Sequence, residues 1–600
     1  MTQVDNSNES PVESTETTGD LETGEPSRSQ EGTRQIRIGR VVASAVLFLC
    51  LTLIWIGAFN HGLMPPDEGR YGTASLHMAE GRSWIVPTYA GHIHLTKPPL
   101  SYWAQAVCIQ LFGRNAMAIR VPSLVAGSLV ILLLFWFLRK AANGKTAVLA
   151  IGGLALTPIF LFINQLAITD PLLNLAWFAT LVFGFLAVQD EERPRSLRWF
   201  ALMWFAQAVG LMVKGPIALS PLAILFVWAG VSGNWRFFKT WKPWFGLPLS
   251  ALPILAWVAL VIREHPDAWN IWRYEMLNRA TGTGDHNQPT WFYLPILIAG
   301  FFPIATMMPI PVWNMRVGEL LKDLRTGSLR GLMFWGVLIP LIGFSMISGK
   351  LISYMLPLGA PLAILVALYI ADGLRNATSA ANETNNQTEP RRTPVSFGPI
   401  ALGLIIIAVG AVGGAIMMRP SAIWLTVPFV IASVIAMWIW VTSRHWILNR
   451  PAGLAILWLL GASLWFWAFA AFGRLLNGIG SEQFADRYTE MYGSDGPALT
   501  MFGFGDQTVA FYLDRNVDEL FNRNDITNTL DARPNGDWLL LANQASWENL
   551  KTKHPDVANR FRYMYEWKGW PDRIIYVLEP IATTDATPYD GKQEVTSPSK

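Results

Sequence analysis

The stretch Val41-Val-Ala-Ser-Ala-Val-Leu-Phe-Leu-Cys50-Leu-Thr-Leu-Ile-Trp-Ile56, followed shortly by Pro65-Pro66-Asp67-Glu68-Gly69-Arg70-Tyr71, decides the architecture. No charge interrupts the apolar run. Continued to Asn60 as a helix, it reaches about 30 Å, the thickness of a bilayer core. Runs of the same kind recur at 116–138, 146–166, 171–189, 198–213, 217–234, 244–262, 292–313, 331–348, 351–371, 398–418, 421–441 and 452–472. With 41–60 these make about thirteen spans, and an α-helical polytopic membrane protein is expected. Composition agrees. Of 600 residues, 52% are hydrophobic and only 15% charged, against about 25% in soluble domains. The mean hydropathy is +0.30. These values exclude a disordered chain, a collagen and an ordinary cytosolic enzyme. The 28 Trp residues suit membrane–water interfaces.

Charge placement orders the chain further. Residues 1–33 are polar and expected to be a disordered tail. Residues 34–472 hold the spans, and 473–600 are expected to form a small soluble α/β domain with strands at Trp538–Ala542 and Ile574–Leu578. Arg34, Arg37 and Arg40 precede the first span, and basic residues recur in alternate loops, from Arg139 and Lys140 to Arg444 and Arg450. By the positive-inside rule the N-terminus is cytoplasmic, and the long loops 61–115 and 263–291 and the C-terminal domain lie outside. A net charge of +3 gives no reason to expect a nucleic-acid partner. Cys50 and Cys108 sit in apolar surroundings and indicate neither a disulfide framework nor a cysteine metal site.

The outer loops carry the polar chemistry. Asp67 and Glu68 follow the first span directly, and Lys97 precedes Pro98-Pro99, which hold it in an irregular turn. A plainer reading makes the acidic pair a helix start, where carboxylates are favoured. Asp170 before Pro171 reads most simply as the N-cap of a helix, with a role beside the first loop still open. Lys214, Arg279, His286 and Lys350 fall at the same outer side in this topology. A single lysine there is ordinarily a snorkelling side chain. Several cations with two carboxylates on one face instead point to an anionic headgroup, such as a lipid phosphate, beside an acid or base.

Pro66-Asp67-Glu68 with Arg70-Tyr71, Trp84 to Pro87, Lys97 to Pro99, Lys214-Gly215, His286 with Pro289 to Tyr293, and Gly349-Lys350-Leu351 with Tyr354 occur in this order. The ordered set resembles the GT-C membrane glycosyltransferases, nearest the aminoarabinose lipid A transferases and related to the protein O-mannosyltransferases. The resemblance implies a GT-C fold, a polyprenyl-phosphate sugar donor and an envelope acceptor: a lipid A-like lipid, a glycan or a protein. It implies Asp67 as the catalytic carboxylate, with Glu68 and Lys97 in the catalytic group. Arg70, Tyr71, Lys214, Arg279, Lys350 and Tyr354 would line the donor-phosphate and lipid cavity, and Asp170 would support it. No cofactor is required by the motifs. A divalent metal is implied at His286, but the residue before Lys97, commonly acidic in the family, is Thr96 here, so the second ligand would be His94.

The expected reaction is attack by the acceptor on the anomeric carbon as the lipid phosphate leaves, with fixed cations stabilising its charge. A multi-pass plasma-membrane protein embedded in lipid follows. The alternative class is a transporter or flippase of lipid-linked saccharides. Transporters often carry an internal repeat; none is visible here, and the charges gather on one face.

Overall fold

The computed structural model describes residues 28–59, 62–89, 92–190, 195–233, 242, 244–281, 288–307, 322–383 and 481–581, with short breaks at 494, 514, 516, 521, 535–536 and 570–572. The chain divides into two compact units, Met1–Ala45 and Val46–Lys600. The first helix runs from Arg28 to Ile56. It therefore begins inside the segment expected as a tail over 1–33, in a stretch where Gln30, Glu31, Arg34 and Gln35 are good helix formers.

Seven helical stretches among the described residues are long and apolar enough to cross a membrane: Arg40–Phe59, Ala116–Ala141, Asp170–Gln189, Ser196–Val231, Leu247–Glu264, Leu329–Met346 and Ile352–Asp372. An eighth is the pair Gly144–Ala155 and Pro158–Asn164, bent by 69°. Proline explains the break, since Pro158 has no N–H to continue the ladder; Thr157 Oγ1 turns back to donate to the Leu154 carbonyl at 2.8 Å.

The 36 residues Ser196–Val231 are not one rod. Helix Ser196–Lys214 ends at Gly215, whose φ of 66° is open to glycine. After the short turn Gly215–Leu219 the chain folds back: Gln207 Nε2 donates to the Ala218 carbonyl at 2.9 Å, across eleven residues of sequence. Ser220–Val231 then follows Asp170–Gln189, with Trp177 Nε1 donating to Ser220 Oγ at 2.9 Å and Gly184 giving room to Leu225. The stretches expected at 198–213 and 217–234 thus form two limbs. Of the run expected at 292–313, residues 308–313 lie outside the described residues; the rest holds helix Tyr293–Gly300 and, after Pro303, the short helix Ile304–Met307. The spans expected at 398–418, 421–441 and 452–472 lie outside the described residues. Thirteen spans are therefore not reached among the residues described.

Residues 481–580 form the expected small α/β region. Its five-stranded sheet has the spatial order Val517–Leu520, Ala498–Phe502, Trp538–Asn543, Arg573–Pro580, Phe561–Gly569. The first three strands are parallel; the last two join antiparallel. Parallel strands are covered on both faces, and Trp538 to Ala542 accordingly reads as an unbroken apolar run, all buried. Trp538 is fully buried, with its ring edge-to-face on Phe561 at 5.7 Å. Trp538→Ala should destabilise this region by about 3–5 kcal/mol, measured as a lower denaturant midpoint for protease resistance of the C-terminal region in detergent. An unchanged midpoint would mean that this core does not hold the sheet.

Candidate active site

The long loop 61–115 is built as helix, hairpin, helix. Helix Asp67–Ala79 starts after Pro65-Pro66; strands Thr88–Tyr89 and His92–Ile93 pair antiparallel; Pro98-Pro99 then lead into helix Leu100–Phe112. The two helices meet through Ala74, Met78, Tyr102 and Ala106. Three indoles fasten the intervening chain: Trp103 Nε1 donates to the Trp84 carbonyl at 2.7 Å, Trp257 to Ile85 at 2.8 Å and Trp272 to Leu95 at 2.8 Å. The last two anchor the loop to helices Leu247–Glu264 and Ala268–Thr281.

The adjacent carboxylates part company. Glu68 is 1% exposed and Arg120 fully buried. Arg120 Nε donates to Glu68 Oε1 at 2.8 Å and Nη2 to Oε2 at 2.7 Å, a two-pronged pair. The remaining lone pairs of Glu68 accept the Met64 N–H at 2.7 Å and the Ala167 N–H at 2.7 Å. Arg120 also donates to the Ala58 and Gly62 carbonyls at 2.9 and 2.8 Å. Glu68 was expected in the catalytic group. Its oxygens are instead fully engaged and sealed, and it holds the loop to the helices. Arg120 was missed by the sequence reading, although an arginine within the apolar run after Ala116 was a signal that it needed an acidic partner.

Asp67, one residue earlier, is exposed. Its charge acts on Tyr71 and Tyr102, and those of Arg70 and Lys97 act on His94. Tyr71 packs on Tyr102 with ring centroids 5.5 Å apart, and His94 lies edge-on to Tyr89, Tyr102 and Tyr71 at 4.8, 6.0 and 6.3 Å. Burial first, then Tyr102, Asp67 and Asp170, push the Tyr71 phenol well above its ordinary range, so it stays a neutral donor. Burial, then the charges of Lys97 and Arg70, push His94 down to about 3. Lys97 Nζ donates to the Thr96 carbonyl at 3.0 Å. The Nε of Arg70 is buried and has no hydrogen-bond partner among the described residues.

A second cluster joins from the helices. Lys214 Nζ lies 2.8 Å from Asp170 Oδ1 and 5.0 Å from the centre of the Tyr354 ring. Asp170 is the first helical residue rather than the cap; Thr169 occupies that place, and the Asp170 carboxylate is drawn to Lys214. Pro98 lies against Gly215, which brings the Lys97 turn beside Lys214. Lys350 is 4% exposed and donates to the Gln288 carbonyl at 2.8 Å. Tyr293 Oη donates to the Leu351 carbonyl at 3.2 Å. Arg279 lies in helix Ala268–Thr281, and His286 lies outside the described residues.

The metal expectation was tested on His94. Its Nε2 is 3.2 Å from Thr96 Oγ1, its near charges are the cations Lys97 and Arg70, and aromatic rings fill the space around it. That donor set does not suit a divalent ion. Among the described residues no three of His, Cys, Asp and Glu gather as ligands. No step is derived through a metal.

Residues 96–259 match the family described as dolichyl-phosphate-mannose-protein mannosyltransferase. An undecaprenyl phosphate-alpha-4-amino-4-deoxy-L-arabinose arabinosyl transferase of Erwinia tasmaniensis is 29% identical over 416 residues, 66% of this chain and 72% of the relative. Its counterpart in Edwardsiella ictaluri is 31% identical over 51% of this chain and 55% of the relative. The crystal structure of ArnT from Cupriavidus metallidurans bound to undecaprenyl phosphate aligns with a TM-score of 0.66 and 20% identity, over 93% of this chain and all of that one. The chain has the fold of a GT-C membrane glycosyltransferase and is similar in sequence to the aminoarabinose transferases. The match from residue 96 begins at the Lys97 turn of this chain and includes the Asp170–Lys214 pair. The loop helix with Asp67 and Arg70 lies upstream of it.

Two outcomes test this geometry. Arg120→Met leaves the Glu68 charge buried and alone, and should destabilise the protein by about 3–5 kcal/mol; Glu68→Gln combined with Arg120→Met should lose less than the two single changes summed, in thermal unfolding followed in detergent. For His94, the unfolded ring protonates near 6.5 and the folded one only near 3. Its contribution is complete above about 6.5 and lost as pH falls toward 3, at no more than about 1.4 kcal/mol per pH unit. His94→Asn should remove that part of the acid slope in unfolding curves taken between pH 4 and 7.

Proposed function

We propose that the protein transfers a sugar from a polyprenyl-phosphate donor to an envelope lipid, with the transfer point between Asp67, Arg70 and Lys97. The observation that carries this reading is the buried Nε of Arg70, without a hydrogen-bond partner among the described residues, three positions along the helix from the exposed Asp67. A buried donor without an acceptor costs about 1–3 kcal/mol, and a phosphate oxygen of the donor would satisfy it. The relatives from Erwinia tasmaniensis and Edwardsiella ictaluri, named as undecaprenyl phosphate–aminoarabinose transferases, support an amino pentose as the sugar and a lipid A-like acceptor.

In this reading an acceptor oxygen attacks the anomeric carbon. The bond from that carbon to the donor's phosphate oxygen breaks, and polyprenyl phosphate departs with the bonding pair. Arg70 and Lys97, fixed before the reaction begins, offset the charge that grows on the leaving oxygen. A neutral His94 adds no competing charge, and the tyrosine rings give the sugar an amphipathic wall. Asp67 orients the acceptor or takes its proton if that acceptor is a hydroxyl; toward a phosphate acceptor it acts by position alone. Lys214, Lys350 and Tyr354 line the path of the lipid phosphate, Arg279 is assigned to the same phosphate from the motif order, Asp170 holds Lys214, and Glu68 anchors the loop. Basic inner loops support a cytoplasmic N-terminus, with the loop 61–115 and residues 473–600 outside the plasma membrane.

Asp67→Asn and Lys97→Ala should each lower transfer by about 100-fold or more, with membrane insertion unchanged, in an assay with lipid-linked amino sugar and extracted envelope lipid. Full turnover in both variants sinks the assignment. A periplasmic reporter fused after Lys600 should be active; a cytoplasmic signal overturns the topology.

A further inference from the structure

The C-terminal sheet has the layout of an open α/β ligand binder. From Ala498–Phe502 the chain crosses to Val517–Leu520 on one side and then to Trp538–Asn543 on the other. The carboxyl ends of the central pair form a switch point, where such sheets ordinarily take a ligand. Here that crevice is closed: Asn543 Nδ2 donates to the Gly503 carbonyl, and any Cβ on Gly503 would overlap Ser546. What meets this edge is the loop helix that carries Asp67 and Arg70.

The approach is close. A Cβ on Gly69 would overlap the backbone nitrogen of Thr508 and come within 2.7 Å of the Gln507 carbonyl carbon. One turn on, Thr73 Oγ1 donates to the Gln507 carbonyl at 3.1 Å, buried on both sides. Gln507 Nε2 is held by Glu519 Oε1 at 2.6 Å, and Gly505 gives Glu519 its place. On the far side, Phe511 packs with Leu76, Ile119 and Leu63, and Tyr512 Oη accepts the Leu63 N–H at 2.9 Å. The chain on both sides of Asp67 is therefore gripped from the C-terminal region.

We infer that the Gly505–Thr508 turn of the C-terminal sheet is a positioning element for transfer, holding helix Asp67–Ala79 through Gly69 and Thr73 so that Asp67 and Arg70 face the donor. This rests on the proposed transferase reading for its kinetic part. The geometry of the grip stands without it. Thr73 and Gly69 touch no reacting atom; they act through the helix they fix.

The test uses the full chain in detergent or nanodiscs, with two readouts. Amide hydrogen exchange over residues 64–73 reports the grip directly. Turnover and the KM for lipid-linked amino sugar report its consequence. Thr73→Val, which keeps the shape and removes the donor, and Gly69→Leu should each raise exchange in that segment and lower kcat by about tenfold, with the donor KM changed less than twofold. Thr73→Ser, which restores the donor, should return both readouts to the parent values. Unchanged exchange in Thr73→Val and Gly69→Leu overturns the grip. Raised exchange with unaltered kcat overturns the positioning role. If the parent protein moves no sugar from any lipid-linked donor, the transferase reading fails while the exchange arm still decides the grip.

Discussion

The paired charges of Glu68 and Arg120 are the constraint on which the candidate site depends. Neither is exposed, and removing both from water costs several kcal/mol per ion before any attraction is counted. The cost is offset by a dense set of hydrogen bonds around both groups. Glu68 accepts two bonds from the guanidinium and two from main-chain N–H groups, while Arg120 also caps two carbonyls at the end of the first span. Such a pair is a weak source of net stability and a strong source of geometry: any other seating of the loop helix leaves a bare charge in the interior. Through Met64, Ala58, Gly62 and Ala167 it ties the first span, the loop and the entrance to the fourth predicted span to one point.

From that point the roles of the neighbouring residues follow by helical geometry. Successive side chains on a helix diverge by about 100°, so fixing Glu68 inward turns Asp67 toward solvent. Arg70 falls on a face that is neither the Glu68 face nor open water, which is where its Nε is buried without a partner among the described residues. Gly69 must be small because its own face meets the backbone of Thr508. Four consecutive positions, Asp67 to Arg70, thus serve solvent-side chemistry, anchoring, close packing and charge. Exchanging any two would fail for a different physical reason.

This also explains what could be read from residues alone. The apolar runs from Val41 onward gave most of the described helices, because a bilayer demands length and apolarity and little else. The strands at Trp538 and Ile574 were legible for a similar reason: unbroken apolar runs flanked by polar turns. The reversal at Gly215 was legible as a boundary between two runs, though not as the contact of Gln207 with Ala218. The division of labour between Asp67 and Glu68 was not legible, since two adjacent carboxylates look alike until a partner is placed. Arg120 lies 52 residues away in sequence, and nothing local ties it to either acid. Asp170 misled for the same reason: Thr169-Asp170-Pro171 has the chemistry of a cap, and only the distant Lys214 redirects its carboxylate.

The two buried ion pairs divide the site electrostatically. Glu68–Arg120 is fully buried. Asp170–Lys214 is about one-tenth exposed, and its lysine also lies over the Tyr354 ring. His94 is held neutral first by its burial and then by the charges of Lys97 and Arg70. A protonated ring at the same place would add a third charge in a buried setting and would have to be offset by an acid. The rings of Tyr71, Tyr89 and Tyr102 stand edge-on to His94 and supply the burial that disfavours such a charge.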